Sequence, residues 1–179
     1  MGERSAVGME LKLERCTLRP WRAGDQTSLV RYANNRNVSR NMRDRFPYPY
    51  TAADADAWIA RARGDDPARN FAIVVDGAAV GGTGLEPGED VFRRSAEIGY
   101  WLGEPFWGRG IATEALKAMT EYAFATFDIC RLTAGVFAWN PASARVLEKA
   151  GYTLESRARL AVTKDGQTID RLEYVLIRP

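Results

Sequence analysis

Apolar positions recur along the chain with two different periods, and each change of period marks an element boundary. Leu11 to Pro20 alternates loosely and predicts a strand stopped by Pro20. Asp25 to Asn34 has the spacing of a short amphipathic helix, and the stretch NRNVSRNMRDRF after it is polar, arginine-rich and without a period. FPYPY reads as a turn or extended loop, because each proline restrains itself and the residue before it. Thr51 caps a helix through Asp54, Trp58, Ile59 and Ala62 to about Gly64, with acids near its start and arginines near its end. Phe71 to Val75 and Ala78 to Leu85 flank Asp76-Gly77, a hairpin signal.

The second half alternates strand and helix. Ser95 to Leu102 is a strand, and Gly110 to about Phe127 is a helix whose stripe is Ile111, Ala115, Leu116, Met119, Tyr122 and Ala123. Leu132 to Trp139 is the next strand. Pro141 to Ala150 is a helix with Asn140 as its cap and Pro141 in the first turn. Tyr152 to Val162 and Gln167 to Ile177 close the chain as paired strands around Lys164-Asp165-Gly166. Antiparallel hairpins at both ends with strand–helix–strand units between them predict a mixed α/β sheet with helices packed on it.

Composition narrows the choice of chemistry. A chain of 179 residues that is 46% hydrophobic matches one domain, 1–179, with a sizeable core. A net charge of +2 falls short of what phosphate-driven nucleic-acid binding requires, so no direct nucleic-acid contact is expected. Cys16 and Cys130 are far apart and offer neither a disulfide framework nor metal spacing, as in a reducing cytosol. No apolar run approaches the roughly 18 residues of a membrane span, and the first residues lack the apolar centre of a secretory signal. The expected location is cytoplasmic, without a membrane. Histidine is absent, which removes His-based triads, His-ligated zinc and imidazole acid–base chemistry; no metal is expected.

The stretch FWGRGIATEAL, Phe106 to Leu116, supplies a positive clue. A helix start offers backbone N–H groups without partners and about half a positive charge. Gly108 and Gly110 let the chain turn tightly and a ligand approach the backbone, while Ala112 keeps the first turn low. Such a start is a phosphate cradle. A P-loop lysine is missing, since Ile111 and Ala112 follow Gly110. A dinucleotide fingerprint fits poorly, with Thr113 where Gly or Ala belongs and Trp139-Asn140 where an acid belongs.

The loop resembles the Gln/Arg-x-x-Gly-x-Gly/Ala segment of the GNAT superfamily of N-acetyltransferases at Trp107, Gly110 and Ala112, with Trp107 in place of the usual polar residue. LRPWRAGD, FPYPYT, EIGYWL and NPxS resemble more narrowly the branch of the RimJ and RimL ribosomal-protein N-terminal acetyltransferases. The resemblance implies a GNAT fold: one mixed, mostly antiparallel twisted sheet of about six to seven strands, with helices on both faces. It implies acetyl-CoA as co-substrate. The pyrophosphate would lie on the main chain of Trp107, Gly108, Arg109, Gly110, Ile111, Ala112 and Thr113, and the pantetheine arm along Tyr100, Trp101 and Leu102. Asn140 and Ser143 would reach the cofactor.

A thioester is already activated, so an amine attacks it directly and no covalent nucleophile is needed. Alternation puts Ala96, Ile98, Tyr100 and Leu102 on one face of their strand and Glu97, Gly99 and Trp101 on the other, with Gly99 leaving space beside Glu97. Glu97 is the candidate general base; the alternative is a sheet carboxylate paired with an arginine such as Arg93 or Arg94. Many GNAT members place a tyrosine after the asparagine to protonate the leaving thiolate, and here Leu147 fills that register. Ser143, on the inward stripe with Val146, Leu147 and Ala150, is the substitute donor; the alternative is a helix-start serine bonding local backbone.

An α-amine of pKa near 7.8 is roughly 15% neutral at pH 7, against less than about 0.1% for a lysine. That favours a peptide N-terminus or an amino acid over a lysine side chain as acceptor, and the RimJ/RimL resemblance points to a protein N-terminus, a ribosomal-protein one included. The alternatives are a small-molecule amine, such as an antibiotic, polyamine or amino acid, and a non-catalytic CoA-binding sensor. A monomer or homodimer is expected. The five arginines from Arg31 to Arg45 are either part of an acceptor lid or a solvated helix face, and FPYPYT and Trp58 either line the acceptor cleft or belong to the core.

Overall fold

A computed structural model describes residues 9–179. The first eight residues of the predicted domain lie outside the described residues. The expected strand from Leu11 to Pro20 is two strands, Leu11–Lys12 (β1) and Thr17–Pro20 (β2), paired antiparallel across a tight turn in which the Leu13 amide donates to the Cys16 carbonyl at 2.9 Å. Glu14 and Arg15 at that turn carry no glycine, proline or asparagine signature. They are held from a distance, by the Glu114 carboxylate, which accepts both of their amides at 3.1 and 2.9 Å.

A 3-10 turn and the helix Gln26–Ala33 (α1) follow, and the period-free stretch after them holds a four-residue helix, Arg36–Ser39 (α2), capped by Asn35. Ala52–Ala62 (α3) starts on a capping box, Thr51 Oγ1 accepting from the Asp54 amide and the Asp54 carboxylate from the Thr51 amide. Asn70–Val75 (β3) and Ala78–Pro87 (β4) are the hairpin that Asp76-Gly77 signals. Ser95–Leu102 (β5), Ile111–Thr126 (α4), Arg131–Phe137 (β6), Pro141–Lys149 (α5), Thr153–Lys164 (β7) and Gln167–Ile177 (β8) complete the chain.

The strands form one sheet in the order β1-β2-β3-β4-β5-β6-β8-β7, eight rather than six or seven because the first is split and the short piece counts. All neighbours pair antiparallel except β5 and β6, which are parallel. Strand alternation sends Phe71 and Ile73 into a core shared with α4 and α5, and Ala72 and Val74 into a second core shared with α1, α2 and α3. Helices therefore cover both faces, as expected. Leu116, Met119, Leu132 and Leu147 are fully buried in the first core, each contributing about 1.5–3 kcal/mol by leaving water. Among the described residues no helix is long and apolar enough to cross a membrane.

The sheet is not continuous along β5. Its parallel register with β6 holds for Ser95↔Arg131, Ala96↔Leu132 and Glu97↔Thr133, and pairing stops there. From Ile98 to Leu102 β5 pairs only with β4, while β6 from Ala134 to Phe137 pairs only with β8. The two central strands thus splay apart just beyond Glu97.

Candidate active site

The expected site residues fall into two groups about the splay, one on each face of β5. Gly99 lies in the splay, exposed, with nothing within 4 Å of where a β-carbon would stand. Glu97 and Trp101 flank it on the face of the second core, and Tyr100 points to the opposite face, where its ring packs against the α4/α5 core. The alternation assigned to this strand holds.

At the far end of β5 the chain makes the loop Trp107 to Gly110 and enters α4. Gly110 is the cap of the helix at φ 77°, and Gly108 is at φ 74°, a left-handed region that favours glycine. The Glu114 amide donates to the Gly110 carbonyl at 3.0 Å, so the amides of Ile111, Ala112 and Thr113 precede the first intrahelical bond. A β-carbon on Gly108 would meet nothing within 4 Å, so the cradle is open to an anion. The Trp107 indole N–H donates to the Leu102 carbonyl at 2.7 Å and fastens the loop to the end of β5. That bond explains how a tryptophan stands where a polar side chain was expected. Arg109 leans over the Phe106 ring instead of reaching the cradle, its guanidinium carbon 5.5 Å from the centroid.

Arg15 is a residue that sequence reasoning missed. Its Nε lies 3.5 Å from the position of a β-carbon at Gly110, which puts a guanidinium over the cradle from the β1–β2 turn. Its spacing from the loop, nearly a hundred residues, left no local signal.

The α5 end is also resolved into roles. Asn140 is the cap, its side-chain oxygen accepting from the Ser143 amide at 3.3 Å. Leu147 is fully buried and carries no proton to give. Ser143 is half-buried, and its hydroxyl lies 2.7 Å from the Tyr100 hydroxyl, which also donates toward the Ser143 carbonyl at 3.1 Å. Burial pushes the Tyr100 phenol up to about 12, against the opposing pull of Ser143. Sequence reasoning placed Tyr100 here only through its backbone.

On the other face, Glu97 is not bound by Arg93 or Arg94. Arg94 pairs with Asp128 at 3.4 Å and Arg93 turns to the Asp90 carbonyl. The partners of Glu97 are Arg43, in close contact, and Arg171, at 3.5 Å. A cleft of about 260 Å³ adjoins them, lined by Arg43, Phe137, Lys164 and Arg171 among others. The start of α2 and the segment after it are tied across this opening: Asp44 to Lys164 at 2.7 Å, Arg36 to Asp165 at 2.5 Å, and the Trp139 indole to Asn41 at 3.0 Å. Of the five arginines in that stretch, Arg36 and Arg43 thus help close the cleft. Phe46 packs on Tyr50 and Trp101, with centroids 5.1 and 5.5 Å apart, forming an aromatic wall in the second core. Trp58, half-buried under Arg61, packs against the same second core, which is the core alternative for that residue.

Residues 15–153 match the acetyltransferase (GNAT) domain family, well over half of the chain. The chain belongs to the GNAT family. It is 40% identical over 86 residues to a probable N-acetyltransferase, YjcK, and 32% identical over 106 residues to a putative ribosomal N-acetyltransferase, YdaF, both of Bacillus subtilis. These matches cover 48% and 59% of this chain, and the chain spans about half the length of the relatives, 48% and 57%. The fold is similar to that of a RimL ribosomal L7/L12 α-N-protein acetyltransferase solved in complex with coenzyme A, with a TM-score of 0.80 at 24% identity over 94% of this chain and 98% of that one. In this chain the glycine loop, Tyr100 and Ser143 lie on one face of β5, and Glu97 and the arginine-lined cleft on the other.

Proposed function

We propose that this protein is an N-acetyltransferase that takes the acetyl group of acetyl-CoA and transfers it directly to a protein or peptide N-terminal α-amine, acting as one domain in the cytoplasm. The observation that carries the reading is the end of β5–β6 pairing at Glu97↔Thr133, together with a Gly108–Gly110 helix start that is open at Gly108 and faced by Arg15 at Gly110. The freed edge of β5 suits an extended chain bearing amides, such as pantetheine, and the helix start suits a diphosphate. The main chain of residues 107–113 would hold that diphosphate, and Tyr100, Trp101 and Leu102 the arm. When bound, the thioester supplies an activated acyl group.

The chain's own residues then have separable roles. Glu97 accepts a proton from the incoming ammonium, directly or through water, and Ser143 donates a hydrogen bond to the departing sulfur. The aromatic wall of Phe46, Tyr50 and Trp101 excludes water beside the acceptor. An α-amine is favoured because it demands less of a base than a lysine, and the names of the ribosomal relatives agree with that choice. The cytoplasmic location is supported by two free cysteines, Cys16 and Cys130.

A second reading is a CoA-binding sensor without turnover, favoured by the buried Leu147 where a tyrosine would give a proton. Thiol release from acetyl-CoA is the deciding measurement, made with peptides bearing free N-termini, Nα-blocked lysine peptides and small amines. Release with free N-termini alone is expected. Release with small amines instead would reassign the acceptor, and calorimetric CoA binding without release on any amine would establish the sensor.

A further inference from the structure

The contact between Tyr100 and Ser143 has a proton problem whose solution gives the tyrosine a role. The phenol lies within hydrogen-bond distance of two acceptors, the Ser143 carbonyl at 3.1 Å and Ser143 Oγ at 2.7 Å, and it owns one proton. A carbonyl only accepts. If the phenol donates to the carbonyl, the short contact to Oγ requires the serine to donate to the phenol, and the single hydroxyl proton of Ser143 is then spent on Tyr100. If the phenol donates to Oγ, the serine proton is released to point elsewhere. Both states keep every heavy atom in place and differ only in the rotation of two O–H bonds.

The position of the pair makes the difference matter. Tyr100 leaves β5 three residues after the last β5–β6 pair, and Ser143 sits in the first turn of α5, the helix that follows β6. Their hydroxyls therefore bridge β5 and the helix that follows β6, on the side of the glycine loop. We propose that Tyr100 is a positioning residue for Ser143: its phenol accepts a hydrogen bond from the serine hydroxyl while no thiolate is present, and turns its own O–H to donate to Ser143 Oγ when one forms, freeing the serine to donate to the sulfur.

The inference rests on the reading of the splay as the acetyl-CoA site. In the reaction the amine nitrogen bonds to the acetyl carbon, the C–S bond breaks and its electron pair goes to sulfur. The serine hydroxyl then hydrogen-bonds that sulfur, and no proton leaves Tyr100. With its phenol raised to about 12, Tyr100 stays protonated through neutral pH and remains a donor throughout the cycle. A structural strut between β5 and α5 would also explain the contact, but it would not couple the two hydroxyls to the rate.

Single-turnover acetyl transfer to a peptide N-terminus, together with calorimetric CoA affinity, tests this in Tyr100→Phe, Ser143→Ala and the double variant. Phenylalanine keeps the ring and its packing, so folding is expected to survive. The transfer rate of Tyr100→Phe should fall about 3- to 10-fold, the worth of one net neutral hydrogen bond, with CoA affinity within about twofold by the same scale. Ser143→Ala should be slower still, and adding Tyr100→Phe to it should change nothing, since no Oγ is left to position. Additive losses, a fully active Tyr100→Phe, or a loss of CoA affinity parallel to the rate would overturn the proposal. Failure of the wild-type protein to transfer acetyl to any amine would instead overturn the acetyltransferase reading, and this inference with it.

Discussion

Arg171 lies across Gly135 and reaches Glu97 at 3.5 Å from a strand that does not adjoin its own. A β-carbon at Gly135 would stand 2.3 Å from the guanidinium, so the glycine is what lets Arg171 cross β6. Arg43 meets the same carboxylate from the segment after α2. Glu97 is therefore charge-compensated before an acceptor arrives, and an incoming ammonium must share it with two guanidinium groups. Glu97 and the mouth of the cleft are one electrostatic unit.

Replacing Glu97 with Gln separates the roles of base and rim carboxylate. As a base it should lose about 10²-fold in transfer rate, with CoA affinity unchanged. As a half-exposed ion pair its removal costs no more than about 1 kcal/mol of stability. Retained rate with that same small stability loss would assign Glu97 to the rim alone. Steady-state kinetics and urea unfolding supply the two readouts.

Gly110 is held at φ 77°, so a valine there strains the fold whatever it does to a ligand. Asparagine tolerates the left-handed region and is the cleaner probe. Gly110→Asn should keep the melting temperature within a few degrees, while CoA affinity falls about tenfold as a side chain rises into the cradle. Equal losses of stability and affinity would return the loop to a structural role.

Local signals were legible and long-range ones were not. Asp76-Gly77, the Thr51/Asp54 box and Asn140-Pro141 each fixed an element, because a turn or cap is decided by adjacent residues. The split of Leu11–Pro20 was hidden, since its turn is stabilised by Glu114 on another element. Arg36–Ser39 is too short to show a helical period, although Asn35 caps it in the ordinary way, accepting from the Asn37 amide at 2.7 Å. For the site, alternation separated Glu97 from Tyr100 correctly. It gave no hint that Arg43 and Arg171 would close on the one and Ser143 on the other, because those contacts exist only once the sheet has formed.

Arg15 provides a test of the cradle that leaves the loop untouched. It is about half exposed and pairs with Glu14 at 3.2 Å and Glu114 at 3.6 Å, contacts of little worth to stability. Arg15→Ala should weaken CoA binding several-fold at low ionic strength and by less in high salt, as expected for a screened surface cation near a phosphate. A salt-independent affinity equal to that of the wild type would remove Arg15 from the site.

A buried ion pair anchors the start of α1, the helix that leads into the arginine-rich segment. Arg19 of β2 and Asp25 ahead of α1 form a bidentate pair at 2.8 and 2.7 Å, and the carboxylate also accepts the Arg22 amide at 2.8 Å. Burial works against the Asp25 charge, but the Arg19 and Arg22 hydrogen bonds and the Arg19 charge outweigh it and hold the carboxyl below its usual range. The folded group thus titrates below its unfolded value of about 3.9. Its stabilisation is complete above that value and is lost as pH falls through the folded pKa. Asp25→Ala leaves Arg19 buried without a charged partner and should cost about 3–5 kcal/mol at pH 7. Wild type and variant should converge in stability as the pH drops below about 3.9, as followed by denaturant unfolding across pH. Because the pair anchors the start of α1, the variant should also lose acceptor affinity before CoA affinity; a gap between the two stability curves that stays constant to low pH would show that the pair does not carry this effect.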